Sequence, residues 1–565
     1  QGAHGGWPLF HGGALDLSAT VKAYFALKAI GDSPDAPHMR RARAATLAAG
    51  GAARTNVFTR VQLALFGAVP WRAAPAMPVE IMLLPRWFFF HLSKVSYWSR
   101  TVMVPLLVLM ALKPRARNPR RVGIPELFLT PPAEVRDWIR APDGSRWGRL
   151  FVVLDGVLRR LDPRFPKGLR ERAITRAAAF VRERLNGEDG LGGIYPAVAN
   201  AVMMFDALGG TDTACGIAWR AVQKLLVLEE RRAWCQPCLS PVWDTGLAGL
   251  ALAEAGKAEA ATAAAWLAPR QVTDVVGDWG VVRPRLHPGG WAFQYANPHY
   301  PDVDDTAVVG MLLHRTGDPA YREAIARAAA WISGMQSANG GWGAFDADNS
   351  HEVLNHIPFA DHGALLDPPT ADVTARCIGM LAQLGEPSDT PRMKAALDYM
   401  ARIQEKDGSW FGRWGVNYIY GTWSALAGLN AAGLDGSAPM VRHGADWLIA
   451  IQNPDGGWGE DCDSYRLDYR GYEPARSVPS QTAWGLLGLM AAGEADHPAT
   501  ARGIAWLQER QDVEGLWSEE SYTGGGFPRV FYLRYHGYAK FFPLWALARY
   551  RNLRSGNSRR VRHGL

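Results

Sequence analysis

One spacing recurs in this chain with little variation: an aromatic residue, a glutamine five positions on, and a tryptophan six positions after that. It appears in AAWISGMQSANGGW (Trp331, Gln336, Trp342), ALDYMARIQEKDGSW (Tyr399, Gln404, Trp410), GADWLIAIQNPDGGW (Trp447, Gln452, Trp458) and GIAWLQERQDVEGLW (Trp506, Gln511, Trp517). A looser copy, AAWLAPRQVTDVVGDW (Trp266, Gln271, Trp279), has two extra residues, and AAAFVRERLNGEDGLGG keeps only the aromatic, Phe180. Each unit reads as the end of an amphipathic helix, a polar turn, and a tryptophan opening the next element. The glutamine amide is placed to bond the first unpaired backbone groups of the following helix while stacking on the indole, which makes it a brace and not a chemical group. Between the units lie Ala- and Leu-rich stretches such as SALAGLNAAGL and TAWGLLGLMAAG, without the alternation of strands. The copies are 68, 48 and 59 residues apart, which suits helical hairpin repeats. Such hairpins close into toroids of inner and outer helices. The expectation is an all-α chain of two α/α-barrel domains, 1–208 and 209–565. Because the chain opens on QGAHGGW, the second half of a unit, and not on Met, it is also expected to lack an N-terminal segment.

A hydrophobic content of 48% excludes a disordered chain, and the net charge of +7 is modest for 565 residues. Much of the excess lies in KPRARNPRR (113–121) and in the tail RNLRSGNSRRVRHGL. Nucleic acid is a conceivable partner, but both runs adjoin apolar sequence, which suits an anionic membrane surface better. The longest apolar run, TVMVPLLVLMAL (101–112), is too short to span a bilayer. It reads either as a buried core helix or as part of a surface that dips into a membrane, as does PRWFFFHL. Five cysteines fit a reducing compartment, and CQPC (Cys235, Cys238), without a second pair or a histidine at zinc spacing, is weak evidence of a metal or redox site.

The chemistry centres on PDVDDTAVV, where Asp302, Asp304 and Asp305 crowd into four residues. Clustered carboxylates either bind a divalent cation or keep one carboxyl protonated near neutral pH. No phosphate-cradling loop accompanies them, and DADNSHE (346–352) lacks the glycine of a calcium loop. The acid reading needs burial and repulsion to raise one pKa. An acid of that kind can protonate an alkene, and aromatic faces then stabilise the carbocation without attacking it. GGWAFQY, GRWGVNYIYGTW and GGGFPRVFYLRYHGYAKFFPLW supply such faces, although each aromatic taken singly fits core packing as well.

PDVDDTA, the Gln/Trp units, SPVWDTGLA, NHIPFADHG, DPPTADVTA and GFPRVFYLRY together resemble the squalene-hopene cyclases along essentially the whole chain. The resemblance implies two α/α-barrels, monotopic attachment to the cytoplasmic face of the cytoplasmic membrane, a central cavity, no metal or other cofactor, a possible homodimer, and conversion of squalene to hopene and hopanol. By motif, Asp304 would be the proton donor, with Asp302 and Asp305 in support. Phe293 would stabilise a cation; Trp98, Trp243 and Trp414 would line the cavity; and Tyr420 would lie near the acid. Phe527, Phe531, Tyr535 and Tyr538 would form the C-terminal aromatic set, and Val95, Phe359 and Ala360 the constriction of the substrate channel. Asp372 matches a supporting aspartate. Arg376 stands where the best-known pattern has a histidine, and an Asp372/Arg376 pair is expected to orient the aspartates and cancel the arginine's field. Phe345 stands where tyrosine is common. A related cyclase for another polyprenyl chain, and an inactive α/α-toroid that only binds, are the alternatives; a prenyltransferase would need an Asp/Cys/His zinc set that is not found.

Overall fold

The computed structural model describes residues 1–187, 189–361, 363–466, 471–556, 558, 561 and 563–565. Asn557, Arg559, Arg560 and Arg562 of the basic tail, Glu188 of the Phe180 unit and His362 of NHIPFADHG lie outside the described residues. Two compact units form: Gln1–Pro237 with His351–Leu366, and Cys238–Ser350 with Asp367–Leu565.

In the second unit six helices contact one another in a closed ring: Pro241–Glu254, Val303–Thr316, Ala371–Gln383, Tyr418–Ala431, Pro479–Ala491 and Tyr538–Ser555, the last packing back on the first. Outside them lie Glu259–Leu267, Arg322–Met335, Pro391–Arg402, Pro439–Ala450 and Pro498–Glu509. The two kinds differ in sequence for a physical reason. Inner helices are buried over most of their surface, and Pro479–Ala491 is buried at each position. Outer helices bury one stripe, such as Val441, Gly444, Ala445 and Leu448, and turn polar residues to water.

The Gln/Trp units clip this ring together, by bonds that differ from those expected. The glutamine amides donate to carbonyls and not to a helix's unpaired N–H groups, whose partners are acceptors; Gln511 donates to Gly515 O (2.7 Å), and the other three donate to two carbonyls each. Gln336 reaches Gly340 O and Arg392 O (2.8 and 3.1 Å), Gln404 reaches Gly408 O and Met440 O (2.8 and 3.0 Å), and Gln452 reaches Gly456 O and Ala499 O (2.7 and 2.8 Å). The second acceptor in each case follows the proline that opens the next outer helix. The tryptophan Nε1 then donates back to the previous helix: Trp342 to Ile332 O, Trp410 to Met400 O, Trp458 to Leu448 O and Trp517 to Leu507 O, at 2.7 to 2.9 Å. Gly340, Gly408 and Gly456 have φ of +95, +99 and +90°, and a Cβ on them would stand 2.2 to 3.1 Å from a carbonyl of the outer helix, so only glycine fits.

The looser copy is completed by Trp291, not by Trp279. Gln271 bonds Gly289 O and Ala324 O (2.8 Å each), and Trp291 Nε1 bonds Leu267 O (2.8 Å), so glutamine and tryptophan are 20 residues apart with the same clip preserved. The opening QGAHGGW forms a clip too: Gln1 donates to Gly5 O (2.6 Å) and His38 O (2.7 Å).

The first unit is also helical. Tyr97–Leu112 runs through one apolar core against Lys167–Glu183 and Tyr195–Ala207, so TVMVPLLVLMAL is a core helix and not a surface segment. Thr213–Lys224, past the division expected after 208, packs on Tyr195–Ala207 and belongs to this unit. Helix Arg146–Leu161 presents an apolar stripe to solvent, with Trp147, Leu150, Val153, Leu154, Val157 and Leu161 exposed. Trp87 (80% exposed) and Phe89 (52%) extend it, Phe89 stacking on Phe151 of the helix at 6.4 Å. Among the described residues no helix is long and apolar enough to cross a membrane.

Candidate active site

The acid motif opens an inner helix, and Asp302 is its cap. Asp302 Oδ1 accepts from the N–H groups of Asp304 (2.7 Å) and Asp305 (3.2 Å), which accounts for one of the three carboxylates. The start of the helix is fixed from outside as well, by Asp302 N–H to Trp291 O and Val303 N–H to Ala344 O, both 2.7 Å. All three aspartates are buried. Burial first, then one another's charge, hold Asp302 and Asp305 well above the usual carboxylate range.

Asp304 sits differently. Its buried Oδ1 lies 2.9 Å from Nε of the buried Arg376, an ion pair whose two atoms make no hydrogen bond. Burial raises its pKa most, Arg376 lowers it, Asp372 raises it, and the balance stands at about 7. The arginine is held by Ser424 Oγ (3.0 Å) and the Tyr420 hydroxyl, and its guanidinium lies 5.1 to 5.4 Å from the rings of Trp243, Tyr420 and Trp423. The expected Asp372/Arg376 pair does not form. Asp372 is already satisfied: its Oδ2 accepts from the N–H groups of Arg413 (3.0 Å) and Trp414 (2.9 Å), and its Oδ1 from Thr370 Oγ1 and Val373 N–H. The long arginine stem reaches instead to the neighbouring inner helices. Its field is therefore not cancelled; burial outweighs it.

The other second-unit candidates fall into linked groups. Trp243 Nε1 donates to Tyr538 OH (2.8 Å), and Tyr535 stacks on Tyr538 at 4.4 Å, so this set adjoins the arginine. Phe345 meets Trp414 edge-on at 6.2 Å, on a loop whose amides at Ala344, Phe345 and Asp346 are gathered by Asp367. Phe527 and Phe531, 6.1 Å apart, sit on the hairpin Gly524–Phe527/Phe531–Leu533, tied to Trp414 by Gly525 N–H to Trp414 O (2.9 Å). Half-buried Phe293 lies two residues beyond Trp291, the partner of Asp302. Trp98, Val95, Phe359 and Ala360 belong to the first unit, where all four are buried; Trp98 Nε1 bonds Ala364 O (2.7 Å) and Phe359 packs edge-on against Phe58 (5.5 Å).

Several residues of the site escape a motif reading. Trp423 and Ser424, three and four positions after Tyr420 on one helix, share its contact with Arg376, and that helical spacing was the available signal. Glu460 accepts from the N–H groups of Asn417, Tyr418 and Ile419 (3.0 to 3.1 Å) and so positions Tyr420; burial raises it to about 7. The arrangement as a whole is a buried acid able to hold a proton near neutrality, beside a cation and a wall of aromatic faces, and it suits proton transfer to a weakly basic apolar substrate.

Two family profiles match the chain: Squalene-hopene cyclase N-terminal domain over residues 1–231 and Squalene-hopene cyclase C-terminal domain over residues 239–552. Similar proteins include the squalene–hopene cyclase of Zymomonas mobilis, 60% identical over 100% of this chain and 88% of its own length. That of Bradyrhizobium diazoefficiens is 60% identical over 100% and 87%. That of Alicyclobacillus acidocaldarius is 42% identical over 98% and 88%.

Proposed function

This chain belongs to the squalene-hopene cyclase family, and from that premise we propose that it folds and cyclises squalene into hopene and hopanol, with Asp304 as the acid. The observation that carries the reading is the buried Asp304 carboxyl, which burial lifts to about 7 although Arg376 lies 2.9 Å from its Oδ1. In the first step the Asp304 O–H bond breaks as a C–H bond forms at the terminal alkene, leaving a tertiary cation on the substrate and a carboxylate on Asp304. Arg376 then favours the reaction: it withdraws proton affinity from Asp304 and stabilises the carboxylate that donation creates, while burial keeps the acid loaded beforehand. Ring closures carry the positive charge past the aromatic groups around Tyr420, Trp414 and Phe527. Loss of a proton from carbon gives hopene, and capture of water followed by loss of a proton from its oxygen gives hopanol.

Incubation with squalene in chelator-containing detergent buffer, beside Asp304→Asn, with products identified by gas chromatography and mass spectrometry, tests this. Pentacyclic products from the native chain alone are expected; equal product from both proteins would remove Asp304 from the mechanism.

Squalene resides in membranes, and the exposed stripe of helix Arg146–Leu161 with Trp87 and Phe89, rimmed by exposed Arg86, Arg146, Arg149 and Arg160, supports monotopic attachment. Flotation with phosphatidylglycerol vesicles is expected for the native protein and reduced for Trp87→Asp/Val153→Asp; unchanged flotation would move the contact elsewhere. Attachment to the cytoplasmic face and a homodimer belong to the same reading, and protease protection in inverted vesicles and light scattering test them.

A further inference from the structure

Cyclisation, the reading on which this inference rests, needs more than an acid: each aromatic face has to stand at a fixed place when the cation reaches it. Buried carboxylates do much of this placing. Asp372 gathers the N–H groups of Arg413 and Trp414, and Glu460 those of Asn417, Tyr418 and Ile419, just before Tyr420. Asp367 is the third of the kind. Its Oδ1 accepts from Ala344 N–H (3.1 Å), and its Oδ2 from Phe345 N–H (2.7 Å) and Asp346 N–H (2.9 Å), so three consecutive amides converge on one side chain of a residue only 3% exposed. Sliding this loop would leave buried N–H groups unpaired, which is costly.

Turning the chain does not by itself require a buried carboxyl. The turn just before this loop closes on its own backbone, by Gly340 N–H to Ser337 O (2.9 Å). What Asp367 holds is bonded to the acid motif: Ala344 O accepts from the N–H of Val303 (2.7 Å), the residue between Asp302 and Asp304. The next residue is Phe345, 5% exposed, whose ring meets Trp414 edge-on at 6.2 Å. Asp367 is also packed hard against the loop's backbone. A Cβ on Gly343 would stand 2.7 Å from Asp367 O and 3.3 Å from Asp367 Cγ. One carboxyl thus fixes the backbone that carries the Phe345 ring, while the same backbone is pinned to the opening turn of the acid helix.

We propose that Asp367 is a positioning residue for ring closure: it holds Phe345 against Trp414 so that the aromatic wall keeps the growing cation until every ring has formed. Attraction between a cation and a ring face weakens once the ring moves beyond about 6 Å. With the loop released, the proton loss that gives hopene happens early. A C–H bond beside the cationic carbon breaks, its electron pair becomes a C=C bond, and the proton passes to solvent, leaving a product with fewer rings.

The test incubates squalene in detergent micelles with native protein, Asp367→Asn, Phe345→Ala and the double variant, and reads the ratio of incompletely cyclised to pentacyclic product by gas chromatography and mass spectrometry. That ratio does not depend on how much of each preparation is folded, so a purely structural role would not move it. Asparagine keeps the size of the side chain but offers one accepting oxygen in place of two. Each single variant should raise the ratio about tenfold, and the double variant should stay within about twofold of Phe345→Ala, because both changes act through one ring. A double variant beyond that, toward the roughly 100-fold of two independent effects, would place the action of Asp367 elsewhere. A native ratio from either single variant, whatever the rate, would leave Asp367 with stability alone, and a folded Asp367→Asn without product would place the carboxyl ahead of the first protonation; each overturns the proposal. Should Asp367→Asn fail to fold by circular dichroism, Asp367→Glu, which keeps the carboxyl and lengthens its stem by one methylene, carries the test, with a smaller rise expected and a native ratio overturning it. Absence of product from the native protein would instead count against squalene cyclisation itself.

Discussion

Buried polar groups in this chain follow two opposite regimes, one in the Gln/Trp clips and one at the acid. In a clip such as Gln452/Trp458 the amide meets two carbonyls and the indole a third, so the polar groups of both side chains are matched by backbone. At the acid, Asp304 Oδ1, Asp305 Oδ1 and Arg376 Nε are all buried without a hydrogen bond, although the first and last lie in an ion pair. Unmet demand of that kind works against stability. The contrast shows the fold investing hydrogen bonds in closing the ring and withholding them where a proton has to leave.

Substitutions at the two places should therefore have opposite signatures. The largest effect is expected from Asp304→Asn, which should cut product formation by about 10³-fold or more while the thermal-unfolding midpoint stays near native; a large fall in the midpoint would blur the contrast. Trp410→Ala should do the reverse, costing about 3–5 kcal/mol of stability, read from denaturant unfolding, while activity per folded molecule persists. Gln452→Leu, which removes the amide's bonds to the carbonyls of Gly456 and Ala499, should cost about 1–3 kcal/mol by the same measurement. Arg376→Met sharpens the comparison from the acid's side. Removing a cation that lowers the Asp304 pKa moves it up from about 7, so the alkaline fall in rate should shift to higher pH while the plateau drops. A limb that stays in place in the pH profile would mean that Asp304 does not govern it.

The fold was largely legible because a repeat states the same thing several times. The closed ring of inner helices follows from apolar stretches buried on all sides, and the clips follow from Gln and Trp. Reading failed where a contact depends on distance across the ring and not along the chain. Trp279 was the nearer tryptophan, but Trp291 has the geometry to meet Leu267 O. Asp372 and Arg376 are one turn apart, yet backbone amides from another segment claim the aspartate and Asp304 claims the arginine. TVMVPLLVLMAL looks as suited to a lipid surface as to a core, and only its neighbours decide. Conversely, RWGRLFVVLDGVLRRL mixes arginines with its apolar residues and reads as an ordinary amphipathic helix, so its outward stripe went unnoticed.

The clip that joins Gln271 to Trp291 has a practical corollary. A fastening whose two halves tolerate a long intervening loop marks a permissive splice point for protein engineering. Within that loop residues 273, 274 and 276 are exposed, so a guest peptide or relocated chain ends should be accommodated there without unlatching the barrel.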